Sequence, residues 1–149
     1  MAPDRTRVLE VLRAHLEQEL ATLSRMTEMA RDEATSAESR PENQYDTRAL
    51  EASYLAAGQG ERLADLRRLA AWVDTQHGRT YEQVQAGALA GLSDGSWLLM
   101  APRGGITVEV DGVAVRLVSA VSPLGESLCG LSVGDDADDE TGRAVVAVR

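Results

Sequence analysis

The sequence predicts an α+β protein. An antiparallel coiled-coil helical hairpin comes first, followed by a small, mostly antiparallel sheet domain with one short helix. Three observations carry this. Leucines recur at spacings of three and four through two long stretches flanking Pro41. Beyond Ala86 the apolar period falls to two. Asp111-Gly112 separates two alternating runs, the strongest short-range signal for a β-hairpin. The predicted domains are the hairpin, 1–77, with its tip loop at 36–46, and the sheet domain, 78–149.

The first helix is predicted from about Asp4 to Glu33, with Asp4 as its cap. Leu9, Leu12, Leu16, Leu20, Leu23, Met26 and Ala30 make one apolar stripe. At ~1.5 Å per residue the helix is roughly 40 Å long and needs a partner of similar length. The tip loop runs Ser36 to Asp46 and contains Pro41. A proline removes a backbone donor and pushes the preceding residue, Arg40, out of helical geometry. The second helix starts after Asp46 or Thr47 and carries Leu55, Leu63, Leu66, Ala70 and Val73 on one face. Gly58 and Gly60 each cost it roughly 1 kcal/mol relative to Ala. They are either a tolerated cost or places of close backbone approach. Gly78 is the predicted stop, with Thr75 to Gln85 a linker.

In the sheet domain, Gly87–Leu92, a turn at Ser93–Ser96 and Trp97–Met100 read as strand, turn, strand. Ile106–Val110 and Val113–Val118 flank the Asp-Gly turn. Ser122-Pro123 opens a short helix and Gly130 lies past its end. An acidic turn, Asp135 to Gly142, leads to a last strand at Ala144–Val148. Four to six strands are expected. Trp97, Leu98 and Met100 are either core or an exposed binding edge.

Composition excludes several function classes. The chain has 149 residues and a formal net charge of -9, with 44% hydrophobic and 3% aromatic residues and no Phe. Leu, Val and Ala must therefore fill the core. The charge opposes contact with nucleic-acid phosphate, and no dense Lys/Arg cluster offsets it. Sequence-specific nucleic-acid binding is not expected. A single cysteine, Cys129, forbids an internal disulfide and is expected to be buried packing rather than a nucleophile. No run suits a bilayer span and no signal-peptide pattern opens the chain, so a cytoplasmic monomer without membrane contact is expected. His15 and His77 have no second ligand at metal spacing and read as surface or packing residues.

One motif goes further. Ser122-Pro123-Leu124-Gly125, Leu128, Gly130 and Val133-Gly134-Asp135 resemble the Ser-Pro-Leu-x-x-x-Leu-x-Gly-x-x-x-Gly-Asp signature of the Gre family (GreA and GreB) of bacterial transcription elongation factors. Glu42-Asn43 resembles the Glu-Asn of that family's tip motif, and Ala30-Arg31 and the glycines of the second helix agree more weakly. The resemblance covers nearly the whole chain, hairpin first and sheet domain second. It implies an FKBP-like sheet domain that binds RNA polymerase at the rim of the secondary channel. It also implies a coiled coil that reaches toward the polymerase active site to modulate elongation. In cleavage-competent members an Asp and a Glu at the tip help hold a second Mg2+, and the polymerase itself then cuts backtracked RNA. Such a factor has no cofactor of its own and at most stimulates the enzyme it binds. Hard divalent cations prefer carboxylate oxygens, so this use of tip acids is chemically sound.

The tip departs from that pattern. The family runs Gly-Asp-x-x-Glu-Asn, and here Ser39 stands where the Asp would be, with Arg40 beside it. Serine supplies no anionic oxygen. The segment between Ala30-Arg31 and Glu42 is also about four residues longer than the family's. The candidate catalytic acids are Glu42 first, as the metal ligand held jointly with polymerase, then Glu38 and Asp46. Gln44 and Tyr45 are either RNA or polymerase contacts or turn packing. For the sheet domain, Pro123, Leu124 and Gly125 are the polymerase-binding candidates, with turn and core structure as their alternative use. A non-cleaving regulator of the same channel is the main alternative. A coiled-coil adaptor with no polymerase role would leave the signature unexplained. A prolyl isomerase needs an aromatic-lined pocket, and beyond Ala86 the single aromatic is Trp97.

Overall fold

Each of the two long helices runs through both of the chain's compact units, Met1–Arg13 with Trp72–Arg149, and Ala14–Ala71. The computed structural model describes residues 2–35, 48–138 and 140–149. Helix α1 spans Arg5–Thr35 and α2 spans Arg48–Asp74. Asp4 caps α1 as expected, its Oδ2 accepting from the Arg7 amide at 3.2 Å. Among the described residues no helix is long and apolar enough to cross a membrane.

Within Ala14–Ala71 the helices bury the expected stripes with three corrections, the first being that Leu20 is only half-buried. Leu16, Leu23 and Ala30 on α1 and Leu63, Leu66 and Ala70 on α2 are buried. Met26 is not: it is 48% exposed, and Thr27 takes the buried position. Both residues fit a three-four spacing between Leu23 and Ala30. Thr27 can occupy the inner one because its hydroxyl donates to the Leu23 carbonyl at 2.8 Å, which removes the cost of burying it. On α2, Leu69 joins the buried set as well. Gly58 and Gly60 lie inside the helix, and no described atom lies within 4 Å of where a Cβ would stand. Among the described residues they make no close approach, and each carries its propensity cost. Leu55 lies where no side chain is described.

The sheet belongs to the other unit. Its strands are β1 Leu89–Leu92, β2 Trp97–Ala101, β3 Thr107–Val110, β4 Val113–Ser119 and β5 Val145–Val148, in the order β3-β4-β2-β1-β5. Three neighbouring pairs are antiparallel, and β2 with β4 is parallel, so the sheet is mixed. Position explains the burial. Central β1 and β2 are buried almost throughout, whereas edge strand β3 alternates exposed and buried. The Asp-Gly turn forms as predicted. Asp111 and Gly112 have φ of 51° and 82°, and Val110 pairs Val113 across it. Trp97 is a core cover, not a free edge: it pairs with Gly91, and its ring stands where a Gly91 Cβ would be, 2.7 Å away.

One face of the sheet carries Ala90, Leu92, Leu98, Met100 and Val118, which share a core with Leu128, Ala137 and Val84. Leu128 comes from the short helix α3, Pro123–Leu128. Val84 falls in the stretch expected to be a linker, yet it is fully buried, with its amide donating to the Leu131 carbonyl at 2.8 Å. The register places Leu89, Leu99 and Leu117 on the opposite face, and all three are buried. Val8, Leu9, Leu12 and Val73, from the start of α1 and the end of α2, are fully buried in the same unit.

Helix α2 stops at Asp74, four residues before the predicted Gly78. Arg5 holds the chain beyond that end. This first-turn residue is only 7% exposed. Its Nε donates to the Gly87 carbonyl at 3.0 Å, and Nη1 donates to those of Gln76 at 2.8 Å and Arg79 at 3.1 Å. The guanidinium lies over the Tyr81 ring, 5.2 Å from its centroid. The Tyr81 hydroxyl bonds Gln76 Oε1 at 3.1 Å. Arg13 adds an exposed ion pair to Asp74 at 2.9 Å. Strand β1 starts at Leu89 rather than Gly87 because Gly87, at φ 97°, serves this cluster instead.

A Gly87 Cβ would stand 2.3 Å from both Gln76 Oε1 and the Tyr81 hydroxyl. Left-handed backbone and overpacking together cost about 2–4 kcal/mol. Gly87→Ala should therefore lower stability in urea unfolding by that amount, with an unchanged m-value.

Candidate functional site

The candidate tip acids Glu38, Glu42 and Asp46, and Ser39 with them, lie outside the described residues. Among the described residues no group of three His, Cys, Asp or Glu side chains could hold a metal ion. His15 lies 4.0 Å from Glu19 and His77 is exposed, in keeping with ordinary surface roles.

The motif in the sheet unit is fully described, and it builds one corner. Ser122 is the N-cap of α3. Its Oγ accepts from the Gly125 amide at 3.1 Å and donates to the Ser119 carbonyl at 2.6 Å. Pro123 occupies the first turn, where a missing amide costs nothing. Gly125 is buried, and a Cβ there would stand 2.0 Å from the Ser119 oxygen. Only glycine lets α3 lie this close to the end of β4. Leu128 is fully buried. Gly130, at φ 89°, turns the chain so that its amide donates to the Val84 carbonyl at 2.7 Å. Gly134, at φ 99°, donates to the Val145 carbonyl, and the Val145 amide donates to that of Asp135, both at 2.8 Å. The Asp135 carboxylate accepts from the Ser132 amide at 2.8 Å. The motif thus fastens α3 and its following loop to β4, β5 and Val84.

The three binding candidates are placed differently. Pro123 is exposed, Leu124 is half-buried against the core, and Gly125 is buried. Next to them Val121 is 80% exposed, which no sequence pattern signals. A partner surface meeting this corner would find Val121 and Pro123 before Leu124, and could not reach a side chain at Gly125.

Cys129 corrects an expectation. It is the C-cap of α3 and is exposed rather than buried. The helix ends at Leu128, and Cys129 takes extended geometry, φ -60° and ψ 133°, as its cap. Local desolvation, then the Glu126 carboxylate, push its thiol above the usual cysteine range. An exposed thiol of that kind is a poor nucleophile at neutral pH.

No family model matches the chain, and no curated protein matches it. Among solved structures, the crystal structure of GreA factor homolog 1 (Gfh1) of Thermus thermophilus is 21% identical, with 95% of this chain and 94% of that chain covered and a TM-score of 0.33. A structure of the transcription factor Gfh1 is 22% identical, covering 95% and 92%, with a TM-score of 0.34. Gfh1 of Thermus aquaticus is 23% identical, covering 94% and 92%, with a TM-score of 0.31.

Two measurements check this corner. In urea unfolding, Gly125→Ala should cost about 3 kcal/mol through overpacking, Ser122→Ala about 1 kcal/mol through the lost cap, and Pro123→Ala less than either. In alkylation by iodoacetamide, the Cys129 rate should rise with pH to a midpoint above that of an unstructured cysteine. Glu126→Gln should lower that midpoint, since it removes a negative charge that opposes the thiolate.

Proposed function

We propose that this chain is a Gre-like factor acting on bacterial RNA polymerase. The sheet unit docks at the rim of the secondary channel, and the hairpin tip enters it to modulate elongation. The observation that supports the reading is the Ser122–Asp135 motif. Its agreement with the family signature is long, and its residues are tied to one another by the backbone demands of a single corner. A helical hairpin followed by this sheet is the order the resemblance calls for. The net charge of -9 suits a protein partner better than nucleic acid. Val121 and Pro123 are the side chains that meet the polymerase.

One observation favours channel occupancy without cleavage. Ser39 stands at the position of the family's tip Asp, with the cationic Arg40 next to it. A second metal ion would then lose one anionic oxygen and gain a repelling charge. Cleavage remains chemically open to Glu42 with Glu38 or Asp46, which would share Mg2+ with the polymerase.

The test uses a stalled, backtracked polymerase complex with Mg2+, followed by RNA length. The expected result is no shortening, together with protection against a cleavage factor added afterwards. Shortening that Glu42→Ala abolishes would keep the polymerase reading and make the chain a cleavage factor. In that variant the folded state should change by less than about 0.5 kcal/mol, as expected if Glu42 lies in the turn that the sequence predicts. The absence of both shortening and protection would overturn the proposal.

A further inference from the structure

The sheet unit contains a pocket of about 410 Å³ that shares no residue with the α3 corner. Arg5, Arg79 and Arg149 line it, with Thr6, Thr80 and a single acid, Asp4. Three guanidinium groups thus converge on one concavity in a chain whose net charge is -9.

None of the three has an anionic partner among the described residues. Arg79 Nε donates to the Thr75 carbonyl at 3.0 Å, and Arg149 Nη1 donates to that of Pro3 at 3.4 Å. Arg5 bonds only carbonyls and the face of Tyr81. Its Nη2 has no hydrogen-bond partner among the described residues, although Arg5 is only 7% exposed. Buried charges are normally paired. Asp4 lines the same pocket, but its carboxylate caps α1, accepting from the Arg7 amide, and forms no ion pair with any of the three. Burial first, against an opposing effect of Tyr81, and then the like charge of Arg79 hold the Arg5 guanidinium below the ordinary arginine range. Among the described residues, then, three arginines line one pocket and none of them is held in an ion pair. The unit's larger groove, about 570 Å³, differs: there Arg143 meets Asp94 at 3.4 Å.

We infer that this pocket binds a small phosphorylated anion, of diphosphate to nucleotide size. Guanidinium forks match phosphate oxygens, and a phosphate accepts from several donors at once, as two arginine heads and two threonine hydroxyls require. A lone carboxylate would engage fewer of them. The volume lies in the range of small-ligand sites, roughly 300–1,000 Å³. The site stands at the start of α1, 31 residues long, whose N-terminal dipole adds to the attraction. Arg5 is the fixed charge beneath the ligand. Exposed Arg79 and Arg149 are the heads that reach it. None of this depends on the polymerase reading, so either can fail alone.

The experiment is calorimetric titration of the full chain with pyrophosphate, and separately with ATP, at low ionic strength. One equivalent of at least one probe should bind with a dissociation constant below about 1 mM. Arg79→Ala and Arg149→Ala should each weaken it about tenfold, the effect of one charge-assisted hydrogen bond, with circular dichroism unchanged. Arg116→Ala, an exposed arginine on β4, should leave it unaltered. No binding of either probe up to about 10 mM would overturn the inference. So would an equal loss in Arg116→Ala, or no loss in Arg79→Ala, since both mean diffuse charge rather than a site.

Discussion

Arg5 is the residue on which the sheet unit's organisation depends. It projects from the first turn of α1, yet its bonds end on the loop after α2 and on the turn before β1. One side chain thereby orders three separate stretches of sequence. A desolvated guanidinium is costly unless its donors are used, so the backbone has to present carbonyls at Gln76, Arg79 and Gly87 together. That demand explains why α2 ends at Asp74 and why residue 87 is glycine. It also explains why β1 begins only at Leu89.

The α3 corner obeys a similar logic. Its motif reads as a string of preferences, but each member answers a local requirement. Ser122 supplies the cap, Gly125 the space beside Ser119, Gly130 and Gly134 the left-handed turns, and Asp135 a loop closure. A family resemblance carried by such residues is first a resemblance of backbone path. The side chains left for a partner are the ones the motif constrains least, Val121 and Pro123.

Elements dictated by local chemistry were legible in the sequence. The leucine stripes, the Asp4 and Ser122 caps and the Asp111-Gly112 turn all depend on neighbours within a few residues. The parallel pairing of β2 with β4 was not, because partners distant along the chain leave no periodic mark. Arg5 was missed for a related reason. A first-turn arginine among polar neighbours looks solvated, and its carbonyl partners lie 71 to 82 residues away. Met26 against Thr27 was a contest between two spacings that fit equally well, decided by a hydroxyl that could satisfy itself. Cys129 was misjudged by one residue at a helix end, where boundaries are least determined. The tip acids sit in the stretch outside the described residues, so their reading rests on sequence alone.

The proposed function joins these parts: a sheet unit braced by Arg5, a corner that meets polymerase, and a hairpin that carries the tip. Placement of the tip tests it most directly. Because Cys129 is the single cysteine, Cys129→Ser with Glu42→Cys gives one attachment point for an iron chelate that generates hydroxyl radicals. Bound to a stalled elongation complex, the labelled protein should cut the nascent RNA and the polymerase chain close to the active centre. The same label at an exposed α1 position near its start, Glu10→Cys, should not. Cutting nowhere near the active centre by the tip probe, with the factor in excess, would contradict the account.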